Sequence, residues 1–138
     1  MARRRSASCP CGLGPSFAAC CGRFTGTGVH APTAELLMRS RFTAYARKDA
    51  DHLRATWHTS SRPERLDLDT DLRWTSLELV ATAGGGLLDA TGTVAFRARA
   101  VSGGRPQIVE EDSAFVREAG AWTYLGPAGA APPPPSAR

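Results

Sequence analysis

Residues 9–22 read CPCGLGPSFAACCG and contain all four cysteines of this 138-residue chain. The cysteines form two close pairs, Cys9 with Cys11 and Cys20 with Cys21, and eight residues separate the pairs. Glycines and prolines in this spacer favour a turn that brings the pairs together, because glycine accepts positive φ and proline fixes φ. Four thiolates around one point form the tetrahedral ligand set of a structural Zn²⁺. The stretch therefore predicts a zinc knuckle at the amino end of the chain.

Disulfide formation is the alternative interpretation of the same cysteines. Four cysteines allow three pairings, but a bridge between the adjacent Cys20 and Cys21 conflicts with disulfide geometry. The chain shows no apolar signal segment, so we expect a cytoplasmic protein, in which stable disulfides are rare. A redox or free-thiol role is a further alternative. His30 could compete as a zinc ligand, whereas four cysteines already complete a closed site, and Phe17 is placed to shield the sulfurs from water.

Beyond the knuckle, the segment 34–48 has the period of a helix that is apolar on one face. The residues on this face are Leu37, Met38, Phe42, Tyr45 and Ala46. Arg41 lies near the edge of the face, one turn before Tyr45. Asp49 suits the N-cap of a second, short helix that ends near Trp57. Pro32 and Thr33 favour a start of the first helix near Pro32.

The second half of the chain has the alternation of antiparallel strands. Strands are predicted over residues 73–82, 90–101, 107–117 and 121–125, with glycine-rich turns between them. Two helices followed by a four-stranded meander give an α+β fold. The apolar fraction of 42% is enough for one core, and no apolar run approaches the length of a membrane helix, so we expect no membrane association.

Composition divides the chain into four parts. We predict a disordered basic arm at 1–8, the knuckle and its linker at 9–29, one folded domain at 30–126, and a disordered proline-rich tail at 127–138. The formal net charge of +4 suggests a nucleic-acid partner. Four of the positive charges lie in the terminal parts: Arg3, Arg4, Arg5 and Arg138. Removing these four from +4 leaves zero, so only the arginine arm remains as a candidate contact for nucleic acid or ribosomal RNA.

The knuckle, Cys9-Pro10-Cys11-Gly12 followed by Cys20-Cys21-Gly22, resembles the SEC-C motif, a zinc-binding element also found at the carboxyl end of the SecA translocation ATPase. The remaining chain up to Gly126 resembles the uncharacterised bacterial YchJ family. The residues that carry this wider resemblance are His30 to Ala34, Leu37 to Tyr45, Thr56 to His58, Arg62 with Pro63, and Glu110 to Glu118. The resemblance implies a cone-shaped nuclear-transport-factor-2-like or SnoaL-like fold, with helices packed on a curved antiparallel sheet. Some relatives carry a second cysteine cluster near the carboxyl end, which this chain lacks.

A cone of this kind encloses a pocket between the sheet and the long helix, and six residues are candidates for chemistry in this pocket. They are Arg41, Tyr45, Trp57, His58, Glu110 and Asp112. A histidine with a carboxylate partner, such as His58 with Glu110 or Asp112, could perform acid/base catalysis. For each residue alone a structural role is the stronger interpretation: Trp57 and Tyr45 are more often core or pocket wall, and His58 is more often a hydrogen-bonded loop residue. Glu110, Glu111 and Asp112 alternate between faces, so at least one of the three carboxylates should face solvent.

These patterns favour a non-enzymatic, zinc-binding protein. The knuckle is expected to contact a protein or ribosomal partner, as similar knuckles do at the end of SecA, and the cone is expected to hold a ligand or a second partner. A small-molecule enzyme or binder that uses the cone pocket is the alternative. A dimer formed through the open face of the sheet is also compatible with the sequence. No nucleotide-binding loop, nucleophile elbow or His-Glu metalloprotease motif is present.

Overall fold

The computed structural model describes residues 8–128. Most of the predicted arm at 1–8, with its arginine contact, and most of the predicted tail at 127–138 lie outside the described residues. A 3-10 turn at Cys21–Phe24 follows the knuckle, and the other elements are helices α1 (Ala34–Arg47) and α2 (Ala50–Ala55) and strands β1 (Leu72–Gly84), β2 (Thr91–Ser102), β3 (Arg105–Glu118) and β4 (Ala121–Pro127). The predicted order of two helices and four strands is confirmed. Strand β4 runs through Pro127, the first residue of the predicted tail, which pairs with Ser113.

Helix α1 begins two residues later than Pro32. Thr33 is the N-cap, and its hydroxyl accepts a hydrogen bond from the Leu36 amide at 3.1 Å. The amide of Ala34 donates to the carbonyl of Gly85 at 2.9 Å, which fixes the start of the helix against the turn between β1 and β2. Gly85 has a φ of +77° and a Cβ there would lie 2.8 Å from the Ala34 Cβ, so this contact requires glycine.

Helix α1 is buried on more than the one apolar face that its sequence predicts. Ser40, Arg41 and Thr43 are each exposed by 3% or less, alongside the apolar residues of the predicted face. The reason is that two structures pack on the helix: the sheet covers one side and the knuckle covers another. The helix ends at Lys48, which adopts the left-handed conformation with a φ of 61°.

The strands form one antiparallel sheet in the order β1-β2-β3-β4. Register shifts in β1 occur between Trp74 and Ser76 and between Leu79 and Ala81. A bulge changes which side chains point to one face, so Trp74 and Leu77, which strict alternation would separate, both pack against the core. The bulges also bend the strand, and the resulting curved sheet wraps around α1.

The segment after α2 closes the far edge of the sheet. The amide of His58 donates to the carbonyl of Tyr124 at 2.8 Å, and the amide of Tyr124 donates to the carbonyl of Thr56 at the same distance. These bonds place Trp57 in a short parallel bridge with Tyr124 of β4. No helix among residues 8–128 combines the length and the apolar character needed to cross a membrane.

Candidate functional site

The four cysteines form one compact cluster. Their sulfur atoms all lie within 4.8 Å of one another, and each residue is exposed by 2% or less. Backbone hydrogen bonds close the loop that carries them: the Cys9 amide donates to the Pro15 carbonyl at 2.7 Å, and the Gly22 amide donates to the Phe17 carbonyl at 2.7 Å. The glycine-rich spacer therefore folds back as predicted and brings the two cysteine pairs to one point.

The cluster has the composition of a metal site and the spacing of unbridged thiols. All four cysteines are free, and Cys11 and Cys20 have their sulfurs 3.5 Å apart, well beyond the ~2.05 Å of a disulfide bond. Burial and the neighbouring sulfurs of Cys11 and Cys9 raise the pKa of Cys20 to about 11. The thiols thus resist joint ionisation in the absence of a cation, and a divalent cation supplies the charge that four thiolates need.

Helix α1 supports the cluster from one side. The hydroxyl of Thr43 donates to the Cys21 sulfur at 3.3 Å and lies 3.5 Å from the Cys9 sulfur. Burial opposes ionisation of Cys9, but hydrogen bonds with the Thr43 hydroxyl, with the backbone of Cys11 and Cys21 and with the Cys21 thiol outweigh it and lower the pKa of Cys9 to about 7. Groups that hydrogen-bond to metal ligands orient them and tune their basicity, and Thr43 has that position here.

Two arginines of α1 also reach the knuckle. Arg39 donates from Nη1 to the carbonyl of Cys11 at 3.0 Å. The guanidinium of Arg47 lies 3.7 Å from the centre of the Phe17 ring, and this ring packs against the cysteine cluster. The knuckle is consequently fixed to the helix by hydrogen bonds and a cation–π contact. His30 lies outside the four-residue cluster, in a separate surface groove beside α2.

A cavity of about 240 Å³ lies on the opposite side of α1, between the helix and the inner face of the sheet. Its apolar walls come from helix and sheet alike: Met38, Phe42, Trp74, Phe96, Ala98 and Val109. Its polar groups are Arg41, Tyr45, Glu111, Ser113 and Tyr124. A partly enclosed pocket with apolar walls and a few convergent polar groups is the default position for a bound ligand.

Arg41 is the buried cation of the cavity and is only 3% exposed. Its Nη1 donates to the carbonyl of Leu53 at 2.8 Å and to the hydroxyl of Thr56 at 2.7 Å. Its guanidinium lies between two rings, 4.8 Å from the centre of Trp57 and 4.6 Å from that of Tyr124. Burial lowers the pKa of Arg41 to about 10, against the opposing influence of nearby tyrosines and Glu111, so the side chain stays charged at neutral pH.

Glu111 supplies the carboxylate of the cavity. Its Oε1 accepts hydrogen bonds from the Tyr124 hydroxyl, at 2.8 Å, and from the Ser113 hydroxyl. Glu111 lies opposite Phe96 in the pairing of β2 with β3, which gives it the inward register shared by Ser113 and Phe115. Burial and the bond to Glu111 raise the pKa of Tyr124, so this hydroxyl remains a donor.

The structure brings together only part of the pocket predicted from the sequence. Arg41 and Tyr45 line the cavity, and Trp57 lies behind Arg41. Glu110 and Asp112 are exposed on the outer face of the sheet, where Glu110 pairs with Arg97 at 2.6 Å. Their neighbour Glu111 has the inward position, because successive residues of a strand point to opposite faces.

His58 also lies outside the cavity. Its Nδ1 is 2.7 Å from the Ser60 hydroxyl, and its Nε2 is 3.8 Å from Glu118. The predicted acid/base pair of His58 with Glu110 or Asp112 is therefore not formed. Thr43, Glu111, Ser113 and Tyr124 were not among the site residues predicted from the sequence. Phe115 is a core aromatic residue of β3, and counting back from it in steps of two would have placed Ser113 and Glu111 on the inner face. No local sequence pattern indicates that Thr43 contacts the cysteines.

Two helices on a curved four-stranded antiparallel sheet, with a cavity between them, define the class of nuclear-transport-factor-2-like domains. The buried cysteine cluster ahead of the domain is the second defining feature of this chain. The chain belongs to the YchJ family, since residues 33–127 match the family described as "YchJ, middle NTF2-like domain". The family and the fold inferred from the sequence are both confirmed.

Similar proteins occur in several bacteria. A UPF0225 protein of Streptomyces coelicolor is 51% identical over 116 residues, which cover 84% of this chain and 90% of that protein. A UPF0225 protein of Chromobacterium violaceum is 47% identical over 127 residues, covering 89% of this chain and 93% of the other. The similarity thus spans almost the full length of these relatives.

Solved structures have the same fold. The solution structure of a SEC-C motif containing protein from Rhodopseudomonas palustris matches with a TM-score of 0.76 at 30% identity, covering 91% of this chain and all of the other. The crystal structure of a SEC-C motif containing protein from Psychrobacter arcticus matches with a TM-score of 0.69 at 24% identity, covering 89% and 82%. The second likeness concerns the fold alone.

Proposed function

We propose that this protein is a non-enzymatic, zinc-stabilised binding protein that holds a small molecule in the cavity between α1 and the sheet. The observation that carries the proposal is the cavity of about 240 Å³ with a charged arginine in its wall, 3% exposed. A buried charge is costly unless it has hydrogen-bonding partners. The cavity beside Arg41 has space for a ligand that would be a further partner. Small-molecule sites have this composition of apolar walls and a few convergent polar groups.

Zinc is the metal that the cysteine cluster suits best. Four thiolates with no oxygen ligand exclude the hard cations Mg²⁺ and Ca²⁺ and favour a tetrahedral S₄ site. Such a site leaves no position for substrate, so its role is structural. Fixed to α1 through Thr43 and Arg39, a bound ion would hold the helix in the position that shapes the cavity.

Metal analysis tests the zinc assignment. We expect one zinc per chain in the purified protein, and after exchange with Co²⁺ the visible spectrum of tetrahedral thiolate coordination. The double variant Cys20→Ser/Cys21→Ser should lose both signals, whereas Leu13→Ala, on the exposed tip of the knuckle, should keep them. A protein that is isolated with disulfides, or that carries no metal when produced in zinc-containing medium, would contradict the assignment.

Nuclear magnetic resonance tests the cavity. Single-ring apolar fragments added to the ¹⁵N-labelled, zinc-loaded protein should shift the signals of cavity residues, including the Trp74 indole, and leave those of the outer sheet face unchanged. Enlarging a wall residue, with Ala98→Leu, should abolish the shifts by filling the cavity. Shifts restricted to the outer face, or none with any fragment, would contradict the proposed function.

A second candidate function belongs to the outer tip of the knuckle. Leu13 marks this tip, because it is 46% exposed and lies between two glycines of the spacer that joins the cysteine pairs. An exposed apolar residue on a rigid, metal-held loop is suited to insert into a groove of a protein or ribosomal partner. Leu13→Glu should then abolish cosedimentation with purified ribosomes or capture of the protein partner, with zinc content unchanged. Val29→Glu, at a site 55% exposed outside the knuckle, is the matched control and should have no effect.

A further inference from the structure

The walls of the cavity select for a flat, mainly apolar molecule. Five aromatic side chains line it: Phe42, Tyr45, Trp74, Phe96 and Tyr124. Its volume of about 240 Å³ is slightly below the roughly 300–1,000 Å³ of sites for drug-sized ligands, which suits a molecule with one ring. Aromatic walls favour an aromatic guest through offset and edge-to-face contacts.

Two groups of opposite charge line the cavity, and they do not pair with each other. Arg41 and Glu111 both line it, yet among the described residues they form no ion pair with N···O at or below 4.0 Å. Tyr124 stands between them, because its ring lies against the Arg41 guanidinium and its hydroxyl donates to Glu111. The site therefore presents a donor group at one position and an acceptor group at another.

Both charged groups have hydrogen-bonding capacity beyond their contacts within residues 8–128. Arg41 donates to protein from Nη1 alone, and Glu111 accepts through Oε1 alone. Within those residues, the one fully buried side-chain nitrogen or oxygen without a partner is Nε of Arg62, so the unpaired polar atoms of Arg41 and Glu111 keep some exposed surface. They offer N–H donors for a ligand acceptor and a carboxylate oxygen for a ligand donor.

Charge balance then decides the charge of the ligand. One cation and one carboxylate line the cavity, and their charges cancel. An anionic ligand would bring a second negative charge next to a single arginine, in a space where an uncompensated charge is costly. We propose that the cavity binds an uncharged, single-ring aromatic molecule that carries a carbonyl acceptor for Arg41 and a hydroxyl or amino donor for Glu111. This inference rests on the proposed function, since it names the ligand class of the same cavity.

Three matched probes test the inference on the full-length, zinc-loaded protein at about pH 6.5, where a phenol is uncharged. Para-hydroxyacetophenone has the acceptor and the donor, acetophenone lacks the donor, and para-hydroxybenzoate has nearly the same shape but is an anion. Affinities are measured from the shifts of cavity amides. We expect para-hydroxyacetophenone to bind at least about tenfold more tightly than either of the others, because each of them leaves a polar group or a charge unpaired.

Substitution of Glu111 should reverse one of these preferences. Glu111→Gln keeps the shape of the side chain and removes its charge, so Arg41 becomes the uncompensated group and para-hydroxybenzoate should become the tighter ligand. Glu110→Gln, one residue away on the outer face of the sheet, should keep the wild-type order of affinities. Thermal melting of both variants checks that they are folded, and the comparison of the three probes on the wild-type protein does not depend on either variant.

The outcomes separate this inference from the proposed function. If all three probes shift the cavity signals with equal affinity, or if the benzoate binds most tightly to the wild type, the cavity is a ligand site but the assigned ligand class is wrong. If none of the three probes shifts the cavity signals at millimolar concentration, the inference and the proposed function both fail.

Discussion

The knuckle and the cavity are two sites on two sides of one helix, and they are built in different ways. The knuckle takes its four cysteines from residues 9–21, and local turns bring them together. The cavity takes its polar groups from α1, β3 and β4, which meet only when the sheet is assembled around the helix. All residues of the first site therefore lie within a short stretch of sequence, whereas the second site depends on the register of strands that are distant in the chain.

The largest effect should come from breaking the knuckle. We expect Cys11→Ser, which removes a ligand that is fully buried, to lower the free energy of unfolding by about 4 kcal/mol or more, as for other losses of structural metal. Urea denaturation of the purified variant with and without added zinc measures the effect. Addition of zinc should stabilise the wild type and leave Cys11→Ser unchanged. An equal midpoint for variant and wild type would show that the knuckle has no stabilising role.

The next effect should come from the cavity side of α1. Arg41→Lys keeps the charge but cannot reproduce both hydrogen bonds and the stacking between Trp57 and Tyr124. We expect a loss of about 3 kcal/mol in the free energy of unfolding, because hydrogen bonds from charged donors are among the strongest and lysine does not replace a stacked arginine. Arg99→Lys, at an exposed position of β2, serves as the control and should be neutral. Equal losses at the two positions would contradict the role assigned to Arg41.

A smaller effect should connect the two sides of the helix. Thr43→Val preserves the volume of the side chain and removes the hydroxyl that contacts the sulfurs of Cys9 and Cys21. We expect a loss of about 2 kcal/mol of stability and about 10- to 100-fold weaker zinc binding, the usual cost of losing a group that orients a metal ligand. Competition with a chromophoric chelator measures the affinity. Thr43→Ser, which keeps the hydroxyl, should retain most of it.

The smallest effect concerns His52, which is buried behind α1 and hydrogen-bonds to the Ser40 hydroxyl at 3.0 Å. Burial lowers the pKa of His52 below its ordinary value of 6.5, with Asp49 opposing the shift and Arg41 adding to it. The unfolded chain thus takes up the proton first, and stability is full above pH 6.5 and falls as the pH drops below it. Between pH 7.5 and 5.5 the fall should be at most about 1.4 kcal/mol. His52→Gln should flatten this part of the stability profile, and an unchanged slope would contradict the assignment.

The contrast between the two sites also explains what the sequence could predict. The cysteine cluster, the two helices, the four strands and the family could be inferred from local patterns. The inward carboxylate was missed, because Glu110, Glu111 and Asp112 differ only in the phase of β3, and Phe115 is the residue that would have fixed that phase. The bulges of β1 had a similar consequence, since they bring Trp74 and Leu77 to one face against strict alternation.

Long-range contacts account for the remaining differences. Tyr124 of β4 contacts Arg41 of α1 and Glu111 of the neighbouring strand β3, and Thr43 contacts cysteines more than 20 positions earlier in the chain. Helical periodicity treats every residue of α1 as facing either core or solvent. Periodicity therefore does not predict that the knuckle packs on another side of the helix, where Thr43 is only 1% exposed.

The covered outer side of α1 has a consequence for how such proteins can be recombined. A fragment that began at residue 30 would uncover Thr43 and leave Arg39 and Arg47 without their partners in the knuckle. A grafted knuckle would in turn need a helix with a hydroxyl and two arginines at matching positions. The two parts are therefore expected to be inherited and exchanged together, and chimaeras between relatives should join chains after the domain rather than between residues 22 and 33.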